Sequence, residues 1–310
     1  MVNINKLKEC GFFEMNINQQ IEFLRNNNFF DLSNESKIKF LEEIGLFYLD
    51  INDDPPNIPL EPENVDYLKE KPLNAKKNQI SNTWKESFVN GAIKRGILKI
   101  NSVNGIENIR NLKSGAIITV NHFNPFDTFA IEKVIRDAGI ERKVYKVIRE
   151  GNYTNFPGFY GFLFRNADTL PLSSNRRTLS QLPETMELFD EALEMILENG
   201  DLIIVCPEQS MWLDYKQPKP FKYGAFKWAT LNNVPVIPTF ITREETESQD
   251  YNINIGKPII PDKNVTPKEN INTMRNLAYD FCKKTYEDYY RKPVTYRTIK
   301  HENIPQYVIT

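Results

Sequence analysis

His122 lies in GAIITVNHFNPFD, residues Gly115 to Asp127, after a short apolar run and five positions before an aspartate. The chain has 310 residues and only two histidines, and the other, His301, is close to the C-terminus. Imidazole is the only side chain whose unperturbed pKa falls near neutral pH, so an ordinary proton acceptor here would have to be His122. Asp127 could reach back to one ring nitrogen, fixing the tautomer and stabilising the imidazolium. The other nitrogen would then take a proton from a hydroxyl. A His/Asp pair at this spacing can also do no more than satisfy backbone groups in a turn.

Two further stretches carry chemistry. VCPEQSMW, Val205 to Trp212, puts Glu208 directly after a very apolar run and a proline that ends the strand. There Glu208 could hold a substrate hydroxyl or a backbone amide, or merely cap the next turn. YKQPKPFKYGAFK, Tyr215 to Lys227, sets Lys216, Lys219, Lys222 and Lys227 around Gly224. A basic loop entering a helix N-terminus suits an anion such as phosphate; the competing reading is a solvated loop.

The elements that must position these residues alternate between strand and helix. Strands are expected at Ala116 to Val120, Lys143 to Ile148, Thr169 to Leu172, Leu202 to Cys206 and Val234 to Ile241, the run LIIVC reading as a strand covered on both faces. Helices are expected at Asn82 to Leu98, Asp127 to Ala138, Leu182 to Leu197 and Phe226 to Leu231, and after the capping signal Thr266, Pro267, Glu269. This predicts an α/β fold, a layered mixed sheet flanked by helices. In such sheets ligands gather at the carboxyl ends of strands, where His122 and Glu208 both fall. Before the sheet, Ile17, Ile21 and Leu24, then Leu41, Ile44 and Tyr48, recur at helical spacing. They predict a helical N-terminal appendage that packs on the main body or binds a lipid surface or partner. The proline-rich acidic break DDPPNIPLEPE, Asp53 to Glu63, is the linker candidate. The expected organisation is residues 1–75 as appendage and linker, and 76–310 as the main domain.

Composition bounds the function. A 40% hydrophobic share can fill a large core, and a net charge of −2 argues against a nucleic-acid partner. Three cysteines, far apart and odd in number, form neither a disulfide framework nor a metal-knuckle spacing, which points to a reducing, cytoplasmic compartment. No metal is expected, since two distant histidines supply too few ordinary ligands. The N-terminus reads as neither signal nor transit peptide, and no apolar stretch is long enough to span a bilayer. Membrane contact would be peripheral and salt-sensitive, through the basic Lys216 to Lys227 region or the N-terminal helices, on the inner face.

The order NHFNPFD, PEQS, FKYGAFKWA, VPVIPTF resembles the glycerolipid acyltransferase superfamily, the glycerol-3-phosphate and 1-acylglycerol-3-phosphate (lysophosphatidic acid) acyltransferases, over about Gly115 to Ile241. Some similarity of pattern reaches back to about Asn82. The family's His-x4-Asp motif falls on His122 and Asp127, its Pro-Glu-Gly block on Pro207 and Glu208, and its last apolar block on Val234 to Pro238. The resemblance implies an O-acyltransferase in which His122 is the general base, oriented by Asp127. The acyl group would pass from acyl-CoA or acyl-carrier-protein to a hydroxyl of a lysophospholipid, glycerol phosphate or related lipid or polyol acceptor. No acyl-enzyme would form and no cofactor would be needed beyond the thioester co-substrate. Asn121, Glu208, Gln209, Ser210, Arg176, Arg177 and Lys222 are the candidate substrate-binding residues. The aromatic run Tyr153 to Phe164 falls where the family places its acceptor and chain sites, though plain core packing would also explain it.

The sequence departs from the family at two points. Where the third block continues Glu-Gly-Thr-Arg-Ser, this chain has Glu208, Gln209, Ser210, Met211 and Trp212, so Met211 stands in place of the arginine. Where the second block ends in an arginine that binds the acceptor phosphate, this chain has Ser173 and Ser174, with Arg176 and Arg177 shortly after. Neither serine nor methionine replaces a bidentate arginine. Either Arg176, Arg177 and Lys222 bind the phosphate instead, or the acceptor is not a simple glycerol phosphate. Acyl-thioester hydrolysis and a non-catalytic lipid- or acyl-carrier-binding module are the alternatives the sequence leaves open.

Overall fold

The structure, a computed structural model, describes residues 4–52, 58–172, 183–244 and 249–296. Three short helices open the chain: α1 (Ile4–Glu9), α2 (Ile17–Asn26) and α3 (Asn34–Glu43). Asn16 and Gln19 close a capping box at the start of α2, and Ser33 caps α3. Then come α4 (Pro72–Lys94), β1 (Leu98–Asn104), α5 (Glu107–Arg110), β2 (Ala116–Val120), α6 (Asp127–Asp137) and β3 (Val144–Arg149). They are followed by α7 (Glu150–Thr154), α8 (Gly158–Asn166), β4 (Thr169–Leu172), α9 (Pro183–Glu198) and β5 (Leu202–Val205). The chain finishes with α10 (Gly224–Leu231), β6 (Val236–Arg243), β7 (Gln249–Ile255) and α11 (Pro267–Tyr290), whose Thr266/Glu269 capping box is the one the sequence signals.

These strands form one seven-stranded sheet in the order β1-β7-β6-β2-β5-β3-β4. All neighbours are parallel except β6 and β7, so β7 and β1 run against the other five. The sheet is mixed, with helices on both faces. Ile117, Ile203, Val236 and Phe240 point to the face covered by α9, α10 and α11. Ile118, Ile204, Ile237 and Ile241 point to the face covered by α4 and α6. That period-two division of continuously apolar strands is what burial on both sides requires. Gly115, before β2, allows the end of α9 to press close: a Cβ there would lie 2.3 Å from the Leu197 carbonyl oxygen.

The structure extends the sequence reading in three places. β1 and β7 were not expected. The helix expected over Asn82 to Leu98 begins at Pro72 and ends at Lys94, so the expected boundary at 75/76 falls in its first turn. The appendage has a core of Leu7, Phe12, Leu24, Leu41 and Ile44, and the fully buried Trp212 of the main body belongs to it. Of the linker candidate, residues 53–57 lie outside the described residues. Leu60 is buried, and its N–H donates to Glu150 Oε1 at 2.9 Å, so this segment is fastened to the start of α7.

Candidate active site

β2 is the central strand, between β6 and β5, and the turn that follows it carries the site. Asn121 continues the ladder with its side chain: Nδ2 donates to the Ile241 carbonyl at 3.0 Å and Oδ1 accepts from the Ile241 N–H at 2.8 Å. Both ends of its amide therefore tie β2 to β6. In the same turn, Asn124 Oδ1 accepts from the Phe126 N–H at 3.0 Å, shaping the entry to α6.

Asp127, the first residue of α6, is fully buried, and four groups converge on its carboxylate. Oδ2 accepts from the backbone N–H of Phe123 at 2.7 Å and of Asn124 at 2.8 Å, and meets His122 Nδ1 at 3.1 Å. Oδ1 accepts from the Tyr251 hydroxyl at 2.7 Å. A carboxylate held by so many donors is an acceptor only, so Nδ1 carries the hydrogen, and Nε2 presents its lone pair. Among the described residues Nε2 has no hydrogen-bond partner, and the ring is about a quarter exposed, at 26%. Tyr251 was not found from the sequence. It comes from β7, whose antiparallel pairing sets it opposite Arg243 at the carboxyl end of β6. Burial, and then the Asp127 charge, push its hydroxyl pKa far up, so it stays a donor.

Glu208 follows β5 and is 2% exposed. Its Oε2 accepts from the His122 N–H at 3.3 Å and lies 3.4 Å from Lys219 Nζ; its Oε1 accepts from the Lys219 N–H at 3.0 Å. Burial pushes the Glu208 carboxyl up and the Lys219 ammonium down, and their mutual attraction opposes both shifts. Glu208 thus braces the backbone of His122 and gives a buried lysine its counter-charge.

The third block turns toward the appendage. Gln209 is exposed and sits in the left-handed region at φ 63°, at the place where the resembling family has glycine. Ser210 is buried, with Oγ donating to the Phe47 carbonyl at 2.6 Å. Trp212 Nε1 donates to the Leu49 carbonyl at 2.7 Å, and its ring stacks on Phe47 at 5.4 Å. Asp214 N–H then donates to the Phe123 carbonyl at 3.1 Å, returning the loop to the histidine turn.

The basic loop is not the exposed cationic patch that its composition suggested. Lys219 is fully buried, its Nζ donating to the Ser210 carbonyl at 2.6 Å. Lys222 lies over the Tyr48 ring at 4.7 Å, with partial burial pushing its ammonium pKa down, and Lys216 lies over Tyr290 at 5.5 Å. Of the four, Lys227 alone is exposed. Arg176 and Arg177 lie outside the described residues, with Ser173 and Ser174. Arg149 stands at the carboxyl end of β3, on the same edge as His122, and was not singled out from the sequence.

The aromatic run forms α7 and α8, and it is not a closed core. Phe156, Phe159 and Tyr160 are 42%, 42% and 45% exposed, beside Trp84 of α4 at 48%. Trp84 stacks on Phe159, Phe159 meets Phe88, and Phe88 stacks on Phe126 at 5.7 Å. Apolar surface therefore runs without a break from α4 and α8 to the residue before Asp127.

Residues 101–242 match the family model described as Acyltransferase. No curated protein matches the chain. Nine chains of solved structures do. Among them is the crystal structure of the 1-acyl-sn-glycerophosphate (LPA) acyltransferase PlsC from Thermotoga maritima. It is 20% identical over 69% of this chain and 81% of that chain, with a TM-score of 0.47.

Proposed function

We propose that the chain, whose residues 101–242 match the family model described as Acyltransferase, is an O-acyltransferase of the glycerolipid acyltransferase type using His122 as general base. The observation that carries this reading is the His122–Asp127 contact at 3.1 Å, in which a fully buried carboxylate fixes Nδ1–H and leaves Nε2 to the substrate. The acceptor is a hydroxyl of a lipid or polyol, of the lysophospholipid or glycerol-phosphate type. The donor is an acyl-CoA or acyl-carrier-protein thioester.

His122 Nε2 takes the hydroxyl proton as the oxygen attacks the thioester carbonyl carbon. The tetrahedral intermediate collapses with cleavage of the C–S bond. The proton now on His122 passes to the departing thiolate, giving an ester and a free thiol. Asp127 stabilises the imidazolium that exists between the two transfers and prevents the ring from turning. No bond to the enzyme forms.

The aromatic surface on α4 and α8 supports a second part of the reading, contact with a bilayer that supplies the acceptor. Leu73, Ile80 and Trp84 lie along one exposed stripe of α4, with Lys76, Lys77 and Arg95 beside it. Aromatics flanked by cations suit an anionic interface. This stripe is preferred to the basic loop as the contact, because Lys216, Lys219 and Lys222 of that loop are partly or fully covered. Among the described residues no helix is long and apolar enough to cross a membrane. The place proposed is peripheral, on the cytoplasmic face.

Thiol release from an acyl-CoA, with and without candidate acceptors, tests the reaction class. Release that requires an acceptor is expected. Equal release without one would make the protein a thioester hydrolase, and tight acyl-carrier binding with no release would make it a binding module.

A further inference from the structure

Asp50 brings a carboxylate from the appendage into the charged cluster of the site. Its Oδ2 accepts from Arg149 Nη1 at 2.7 Å and from the Met211 backbone N–H at 3.4 Å. Its Oδ1 accepts from the Ile51 N–H at 3.0 Å. Its charge also reaches the buried Lys219, whose ammonium lies beside Glu208 and so one residue's breadth from the His122 backbone. Arg149 ends β3 and Met211 follows β5. These strands are neighbours, and both carboxyl ends open on the edge that carries His122.

A guanidinium and a backbone N–H converging on one oxygen form the arrangement that recognises a phosphate oxygen. Here the oxygen belongs to the chain itself. The segment that supplies it is fastened by Ser210 to the Phe47 carbonyl, by Trp212 to the Leu49 carbonyl, and by the Phe47/Trp212 stack. Ser210, Met211 and Trp212 are also where the third block departs from the family pattern. The substitutions that remove the arginine are the ones that receive the appendage.

We propose that Asp50 is a specificity-determining residue: its carboxylate fills the anion position made by Arg149 and the Met211 N–H, and so excludes acceptors that carry a phosphate monoester there. This narrows the acceptor class named above and rests on that reading for its consequence in acyl transfer. Occupation of the anion position is a separate matter that phosphate binding alone tests. A phosphate brought to Arg149 in the native protein meets a second anion already in place, and like charges in contact are strongly disfavoured.

Inorganic phosphate is the probe, titrated at constant ionic strength against chloride while thermal unfolding is followed. The wild-type midpoint is expected to stay level. Asp50→Asn should gain a saturable upward shift, as linkage requires of a newly bound ligand. Asp50→Glu, which keeps the charge, and Asp50→Asn with Arg149→Gln should both stay level. In thiol release, the ratio of turnover on sn-glycerol 3-phosphate to turnover on glycerol should rise at least about tenfold in Asp50→Asn. Saturable phosphate binding by the wild type, equal to that of Asp50→Asn, would overturn the proposal. So would folded Asp50→Asn and Asp50→Ser proteins that both ignore phosphate. If neither variant folds, the wild-type titration decides: saturable binding overturns the proposal and its absence supports it. Failure of acyl transfer with every acceptor would count against the function proposed above, and the phosphate titration would still read the Asp50 site.

Discussion

Tyr251 donates its hydroxyl to Asp127 Oδ1 at 2.7 Å, from a strand 124 residues further along the chain. The carboxylate in contact with His122 is thereby held from both sides, by the N–H groups of its own turn on Oδ2 and by a β7 hydroxyl on Oδ1. Tyr251→Phe removes one charge-assisted hydrogen bond and no ring contact. A bond of that kind is worth about 1.5–3 kcal/mol, so kcat should fall on the order of tenfold or more while KM for the thioester is unchanged. Steady-state kinetics on a variant that melts cooperatively checks this. A rise in KM with kcat intact would assign Tyr251 to substrate binding instead of positioning.

Gln209 holds a left-handed conformation at φ 63° on the exposed turn after Glu208. A side chain with a Cβ costs about 1–2 kcal/mol there, partly offset because glycine loses more freedom on folding. Gln209→Gly is expected to stabilise the protein by about 1 kcal/mol, read by urea denaturation. Destabilisation would mean that the Gln209 side chain makes a contact the fold needs.

Glu132 lies five residues after Asp127 on α6, buried between Lys85 Nζ at 2.7 Å and Lys146 Nζ at 2.5 Å. Burial pushes its carboxyl up, but the two ammonium groups together outweigh burial and bring it from 4.5 to about 2. A carboxyl lowered on folding adds stability above its unfolded pKa and loses it as pH falls toward the folded value. Glu132→Gln, which takes the shared counter-charge from buried Lys85 and Lys146, should cost about 3–5 kcal/mol at pH 7. That gap should narrow between pH 4.5 and about 2. Denaturation curves of both proteins across this range test it, and a gap independent of pH would contradict the assignment.

What was legible in the sequence was what is local. His122, Asp127 and Glu208 stand in short contiguous stretches at the ends of apolar strands, and the strand–helix alternation around them is a periodic signal. The alternation of Tyr251, Ile253 and Ile255 with polar residues was also there to be read. Without β7, however, nothing connected Tyr251 to Asp127. The contacts of Trp212 with Leu49 and of Ser210 with Phe47 join residues more than 160 positions apart, and no local pattern encodes them. For the same reason Lys219 read as one charge in a basic loop. Its burial depends on Glu208, whose own burial depends on the sheet. Met211 registered only as a missing arginine, because the carboxylate that occupies its N–H comes from the appendage.

The central claim is that His122 removes the acceptor proton, and acceptor-dependent thiol release from acyl-CoA by wild type and His122→Ala measures it most directly. Loss of an oriented general base is expected to lower turnover on the order of 10²–10⁴-fold, with the variant still folded and still binding the thioester. Turnover by His122→Ala equal to that of the wild type would contradict the mechanism.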